Sequence, residues 1–176
     1  MTIPRDATET LARTLYAEAG RRPVRAIEAL AALAVNRARA AVPRPPRIPG
    51  AAPFARGGHA RLPEPGAQEV AAACRDPFLF PSRNPRHPAH ALLDAPPPGD
   101  PALAICRRIA VRAVGGTLGD PTGGATHWHP EEELPAWALA RMPVEEVGGL
   151  LFYRLETGAR PAAPTAPVLV AGLVAA

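Results

Sequence analysis

Ile27, Leu30, Ala31, Leu33, Ala34 and Val35 leave almost no polar face on the segment that runs from Pro23 to about Arg39. A helix that is apolar nearly all round has to be enclosed by other elements. The rest of the chain must therefore wrap around this helix, which Pro23 is placed to start. Asn36, near its end, becomes a buried polar group in need of partners.

Enough helix is legible elsewhere to do the wrapping. Asp6 and Glu9 have the spacing of a capping box, and the helix they open carries Leu11, Ala12, Leu15, Tyr16 and Ala19 on one face, with Gly20 as its C-cap. Residues 67–75 read as a short helix. Asp100 as N-cap and Pro101 at the first helical position open another through Val114, which Gly115 and Gly116 stop. Residues 134–142 suggest one more short helix. Thr126 to His129 and Leu150 to Leu155 read as short strands able to pair.

The 24 prolines and 15 glycines make 42–66 and 76–98 irregular, yet 47% of the residues are hydrophobic, which excludes a disordered chain. At 176 residues the expectation is one α+β, mainly α domain with a small β-hairpin or sheet, spanning 1–157, and a Pro/Ala-rich tail at 158–176.

All 20 basic residues are arginine, and the net charge is +4. An arginine-rich surface suits a polyanion such as nucleic acid, acidic lipid or the carboxylate-rich peptides of a cell wall; coding bias toward Arg, Ala and Pro gives the same composition. No secretory leader is expected in Met1 to Thr10, which contains Asp6 and Glu9 and no apolar stretch. Val168 to Ala176 is too short to span a bilayer. Action outside the cytoplasm would then need another route of delivery.

Three groups of residues carry candidate chemistry. Glu18 lies at the edge of the first helix's apolar stripe, where half-desolvation raises a carboxyl pKa and favours general acid work; a lone helix-edge glutamate is otherwise a solvated charge. His127 and His129 would share one face of a strand with Glu131 and Glu133 close behind, but no third ligand falls at a recognised metal spacing. Aromatic and polar strands also line sugar grooves, where rings stack on pyranose faces. Cys74 and Cys106, the only cysteines, fit no zinc motif. They are either a pair bridging two packed helices in an oxidising compartment or two separately buried thiols.

Several segments occur in a telling order: Leu11-Ala12-Arg13-Thr14-Leu15-Tyr16-Ala17-Glu18-Ala19, Ala34-Val35-Asn36-Arg37, Asp120-Pro121-Thr122-Gly123-Gly124-Ala125-Thr126-His127-Trp128-His129, Pro135-Ala136-Trp137-Ala138 and Phe152-Tyr153. Together they resemble the cell wall hydrolase family typified by the spore-cortex-lytic enzyme SleB, over roughly Thr8 to Tyr153. The resemblance implies a lysozyme-like catalytic domain acting on peptidoglycan, with Glu18 in the position of the family's catalytic glutamate. It implies cleavage of the MurNAc-GlcNAc bond by a lytic transglycosylase or muramidase; the leading reading takes no metal and no cofactor. Asn36, Thr126, His127, Trp128, His129 and Tyr153 become candidate groove residues. Peptidoglycan rather than nucleic acid is the implied partner, with no transmembrane segment, at the periplasm or cell wall or within a phage-like or gene-transfer particle alongside tail proteins. The competing expectations are a non-catalytic wall-binding or tail-assembly module and a metal-dependent amidase using His127 and His129.

The chain departs from the family pattern at two places. Relatives continue the first motif as Ala-Arg-Gly-Glu, where this chain has Ala19-Gly20-Arg21-Arg22. Relatives carry a Gln-Phe-Ser-Cys-Trp-like stretch where this chain has Leu79-Phe80-Pro81-Ser82-Arg83 ahead of Asn84-Pro85.

Overall fold

The computed structural model describes residues 5–42 and 64–155. Most of the irregular stretch expected at 42–66 and all of the tail expected at 158–176 lie outside the described residues. Five α-helices are present among those described: α1 (Arg5–Ala19), α2 (Val24–Ala41), α3 (Ala67–Cys74), α4 (Ala91–Asp94) and α5 (Pro101–Val114). Three strands, β1 (His127–Pro130), β2 (Glu145–Glu146) and β3 (Leu150–Tyr153), form one antiparallel sheet in the order β1-β3-β2. The architecture is α+β, mainly α, with a small sheet.

The mostly apolar helix is enclosed as its composition requires. Ten residues of α2 are buried, most of them alanine, so α1, α3 and α5 can approach it closely. Leu11 and Leu15 of α1, Leu30 and Leu33 of α2, Val70 of α3 and Ile109 of α5 meet in one core with Phe80, Leu150 and Phe152. Pro23 is the N-cap of α2 rather than its first residue. Asp100 Oδ1 accepts from the Ala102 amide at 2.8 Å and caps α5 as its sequence predicts.

The capping box at the chain's start is not formed. The helix α1 already includes Arg5 and Asp6, so Asp6 sits inside its first turn. Glu9 is drawn instead to Arg13 and to Arg107 of α5. The helix expected over 134–142 shrinks to a single 3₁₀ turn at Ala136–Ala138, because Pro135 and Pro143 bracket a stretch whose Leu139 and Met142 are exposed rather than packed.

The two paired strands fall where expected, with His127 opposite Tyr153 and Trp128 opposite Phe152. The third, β2, is too short to signal itself. The turn from β2 to β3 seats the sheet on the start of α2. Gly148 there has φ +60°, and a Cβ would lie 2.8 Å from Pro23 Cγ, so no side chain fits.

The thiols do not pair. Cys74 and Cys106 are both free and buried. The helices α3 and α5 each pack principally on α1 and α2.

Candidate active site

Glu18 stands one residue before the end of α1, half-buried, between the buried Ala17 and Ala19. The segment that follows α3 folds across it. Phe80 is buried in the core, and a 3₁₀ turn at Pro81–Arg83 brings the Ser82 amide to Glu18, donating to Oε1 at 2.8 Å. Burial pushes the Glu18 carboxyl above the ordinary glutamate range. The Ser82 side chain and amide and the charges of His87 and Arg83 pull the other way without overcoming it. The result is a carboxyl that stays protonated to higher pH than a surface glutamate, with basic side chains as the charged groups that act on it most.

The turn is held from both ends. Arg83 Nη2 donates to Thr14 Oγ1 at 2.5 Å and its Nε to the Cys74 carbonyl at 2.8 Å. His90 Nδ1 lies 2.8 Å from the Ser82 carbonyl oxygen. Further upstream, the Trp128 indole donates to the Leu79 carbonyl at 2.8 Å, and Asp76 faces Arg37 at 3.5 Å. Residues 76–90 therefore link the end of α1 to the sheet.

His127 and His129 do project from one face of β1, together with Tyr153 of β3, and Trp137 closes over them. Its ring lies 5.7 Å from each histidine and 5.2 Å from Tyr153, while His129 stacks on Tyr153 at 5.3 Å. His127 is pushed down to about 4 by burial first and then by Arg37 and Arg141, with Asp76 opposing, so it is neutral at neutral pH. Trp137, 38% exposed, gives this cluster an open aromatic edge.

The remaining candidates act within the framework. Trp128 faces the opposite side of the sheet and packs on the core. Asn36 is buried, its amide donating to Asp120 Oδ2 at 2.9 Å while its Oδ1 accepts from Arg39 at 3.0 Å. Asp120 in turn accepts from the Thr122 amide, the Thr122 hydroxyl and the Gly124 amide, which shapes the glycine-rich loop. Thr126 Oγ1 donates to the Leu155 carbonyl and accepts its amide, tying β1 to the end of β3. A cavity of about 130 Å³ adjoins Asn36, Arg39, Ala113, Leu118 and Asp120 and shares no lining residue with the surroundings of Glu18.

The two histidines are already engaged. His129 has Tyr153 Oη 3.0 Å from Nε2 and the Pro130 carbonyl 2.8 Å from Nδ1, and His127 has Thr126 Oγ1 and Arg37 beside its two nitrogens. Among the described residues no group of three His, Cys, Asp or Glu side chains is arranged to hold a metal. None of the helices described is long and apolar enough to cross a membrane.

No family model and no curated protein matches the sequence. Among solved structures, the chain is similar to the catalytic domain of the Bacillus cereus SleB protein, with a TM-score of 0.55 and 17% identity. The match covers 86% of this chain and 91% of that one. This chain has the SleB catalytic-domain fold. At that identity the likeness concerns the fold, and the site has to be read from this chain's own residues.

Two groups at the site carry little sequence signal. The hydrogen bond from Ser82 to Glu18 comes from the backbone amide, which any residue but proline would supply. Trp137 stands in the Pro135-Ala136-Trp137-Ala138 segment, but nothing in its neighbours along the chain ties it to His127 and His129.

Proposed function

We propose that this chain cleaves the glycan strands of peptidoglycan at the MurNAc-GlcNAc bond, with Glu18 as the single general acid and base. The observation that carries the reading is the raised, half-buried Glu18 carboxyl held by the Ser82 amide at the end of α1. A SleB-type fold around it supports the choice of substrate.

Protonated Glu18 gives its proton to the glycosidic oxygen as that bond breaks and an oxocarbenium-like centre develops on the MurNAc ring. The carboxylate left behind then takes the proton of the MurNAc C6 hydroxyl, whose oxygen closes on C1 to give a 1,6-anhydro end. If water takes the place of that hydroxyl, the same sequence is a muramidase reaction. Trp137, with the half-covered His127 beside it, offers an aromatic surface to a sugar ring, while the buried His129 and Tyr153 pack against it from within.

Mass spectrometry of muropeptides released from purified sacculi tests the reading. Anhydro ends indicate transglycosylation, and reducing ends indicate hydrolysis. No turnover by wild-type protein that still binds sacculi would favour the wall-binding module. Activity lost to a chelator and regained with zinc would favour the amidase, which the engaged nitrogens of His127 and His129 argue against.

A further inference from the structure

We infer that Arg83 is a positioning residue for the acid: it clamps the 3₁₀ turn onto α1 one helical turn before Glu18, and so fixes the Ser82 amide on the carboxylate. This deepens the proposed function and rests on Glu18 being the acid. Three bonds define the clamp. Arg83 Nη2 reaches Thr14 Oγ1 on α1, its Nε reaches the carbonyl of Cys74 at the end of α3, and the adjacent Ser82 amide reaches Glu18. Thr14 and Glu18 are four residues apart, so they lie on one face of the helix. The turn thus meets α1 at two successive positions on that face.

The Thr14 hydroxyl is oriented for this contact. It donates to the Thr10 carbonyl at 2.8 Å, which leaves its lone pairs for Arg83, and the side chain is fully buried. Few residues could make both bonds. The two nitrogens used belong to one rigid guanidinium plane and point at acceptors on different helices, a geometry that an ammonium on a flexible stem does not reproduce.

The clamp also sets a charge near the acid. The groups facing Glu18 are Ser82 and Arg83 of the turn and His87 beyond it, while Arg83 itself is faced by Arg75, Asp94, Cys74 and Glu18. Burial presses Arg83 toward losing its proton, but an arginine keeps its charge at any working pH. Arg83 therefore opposes, from a fixed place, the burial that raises Glu18. A turn that drifted away would take both the Ser82 amide and this charge with it.

The test is Arg83→Met, with the Glu18 side-chain carboxyl followed by carbon NMR against pH in parallel with sacculus turnover. The clamp predicts a Glu18 midpoint displaced from its wild-type value in the folded variant, because the amide, the charge and part of the cover leave together, and loss of the Ser82 amide's hydrogen-exchange protection. It also predicts a kcat lower by about tenfold or more, with KM changed less, the signature of a displaced acid. Arg83→Lys restores the charge without the fork, so it should recover the midpoint more than the kcat. Thr14→Val removes one acceptor at nearly constant volume and should move the midpoint in the same direction by less, which keeps the test available if Arg83→Met does not fold. A wild-type midpoint and protected Ser82 amide in both Arg83→Met and Thr14→Val overturn the clamp. The titration does not depend on catalysis. A shifted midpoint in protein that never turns over sacculi would uphold the clamp while refuting the proposed reaction.

Discussion

The Asn36 amide donates to the Asp120 carboxylate at 2.9 Å, joining the end of the central helix to the glycine-rich loop across 84 residues of sequence. The bond is one of four that converge on Asp120, and burial of that carboxyl is outweighed by the donors, which hold it below the ordinary aspartate range. Asn36→Ala should therefore act on stability. Removing the donor leaves a half-buried carboxylate one bond short and strands Arg39 Nη1, at a cost of about 1–3 kcal/mol. Chemical denaturation measures the loss, and kcat at a temperature where the variant stays folded should fall within a few-fold of wild type. A wild-type stability combined with lost substrate binding would instead return Asn36 to the groove.

Glu18→Gln separates catalysis from stability in opposite directions. The amide cannot supply or retrieve the proton, so turnover should drop roughly a hundredfold or more. The Glu18 pKa is raised in the folded state, so the stability it offers is complete below the ordinary glutamate pKa and is lost as pH rises through the elevated value. Gln carries no such penalty. The variant's Tm should exceed that of wild type at neutral pH and converge with it in acid, which thermal melts at two pH values will show.

Trp137→Ala should weaken binding without disturbing the frame. The ring is 38% exposed and meets His127 at a tilt and His129 and Tyr153 nearly at right angles. Loss of an aromatic anchor is expected to raise the Kd for sacculi or glycan oligomers by about tenfold, near 1.4 kcal/mol. The kcat at saturation should change little. A pull-down series with circular dichroism as the folding control decides it.

Glu9 gives the fold an acid limit. The Arg107 hydrogen bonds first, then those of Arg13, bring its pKa from 4.5 to about 2 against the effect of burial. A depressed carboxyl contributes stability above its unfolded pKa and loses it as pH falls through the folded value, here between about 4.5 and about 2. Its side chain is 35% exposed, so solvent screening leaves about 1 kcal/mol or less. Glu9→Gln should lose that amount at neutral pH and flatten the acid side of the stability curve.

Both cysteines should resist alkylation in the native protein. Burial pushes Cys74 up to about 12 and Cys106 up to about 11, so little thiolate exists at pH 8, and both are almost wholly covered. Mass spectrometry after iodoacetamide should find two modified thiols only in denatured protein. A disulfide-linked peptide from oxidised native protein would contradict the free, buried state of both thiols.

Four of the helices, α1, α2, α3 and α5, and the two longer strands were legible because each carried its own local evidence, such as the uniform apolarity of α2, the Asp100-Pro101 start of α5 and the alternation around His127. The one-turn α4, in the stretch expected to be irregular at 76–98, was too short to signal itself. Glu18 was legible as a carboxyl at the edge of an apolar stripe. What the sequence hid was whatever depends on distant partners. The Asp6–Glu9 spacing fits a capping box, but Arg107 offers Glu9 a charge-assisted bond that the local alternative lacks. Asn36 and Thr126 looked like groove residues because polar groups in a recognisable motif invite that reading, yet their hydrogen bonds end inside the protein. The Ser82 amide left no trace, since a backbone contact constrains no side chain.

The acid and its surroundings come from different parts of the chain. Glu18 is inherited with α1, a helix packed against four others and costly to alter. Ser82, Arg83 and His87 ride on a proline-punctuated segment fastened by a handful of bonds. Exchanging that segment would retune the strength of the acid without repacking the core. Changes in this stretch, more than in the helix bearing the glutamate, are what would reset the pH at which the Glu18 carboxyl of this chain gives up its proton.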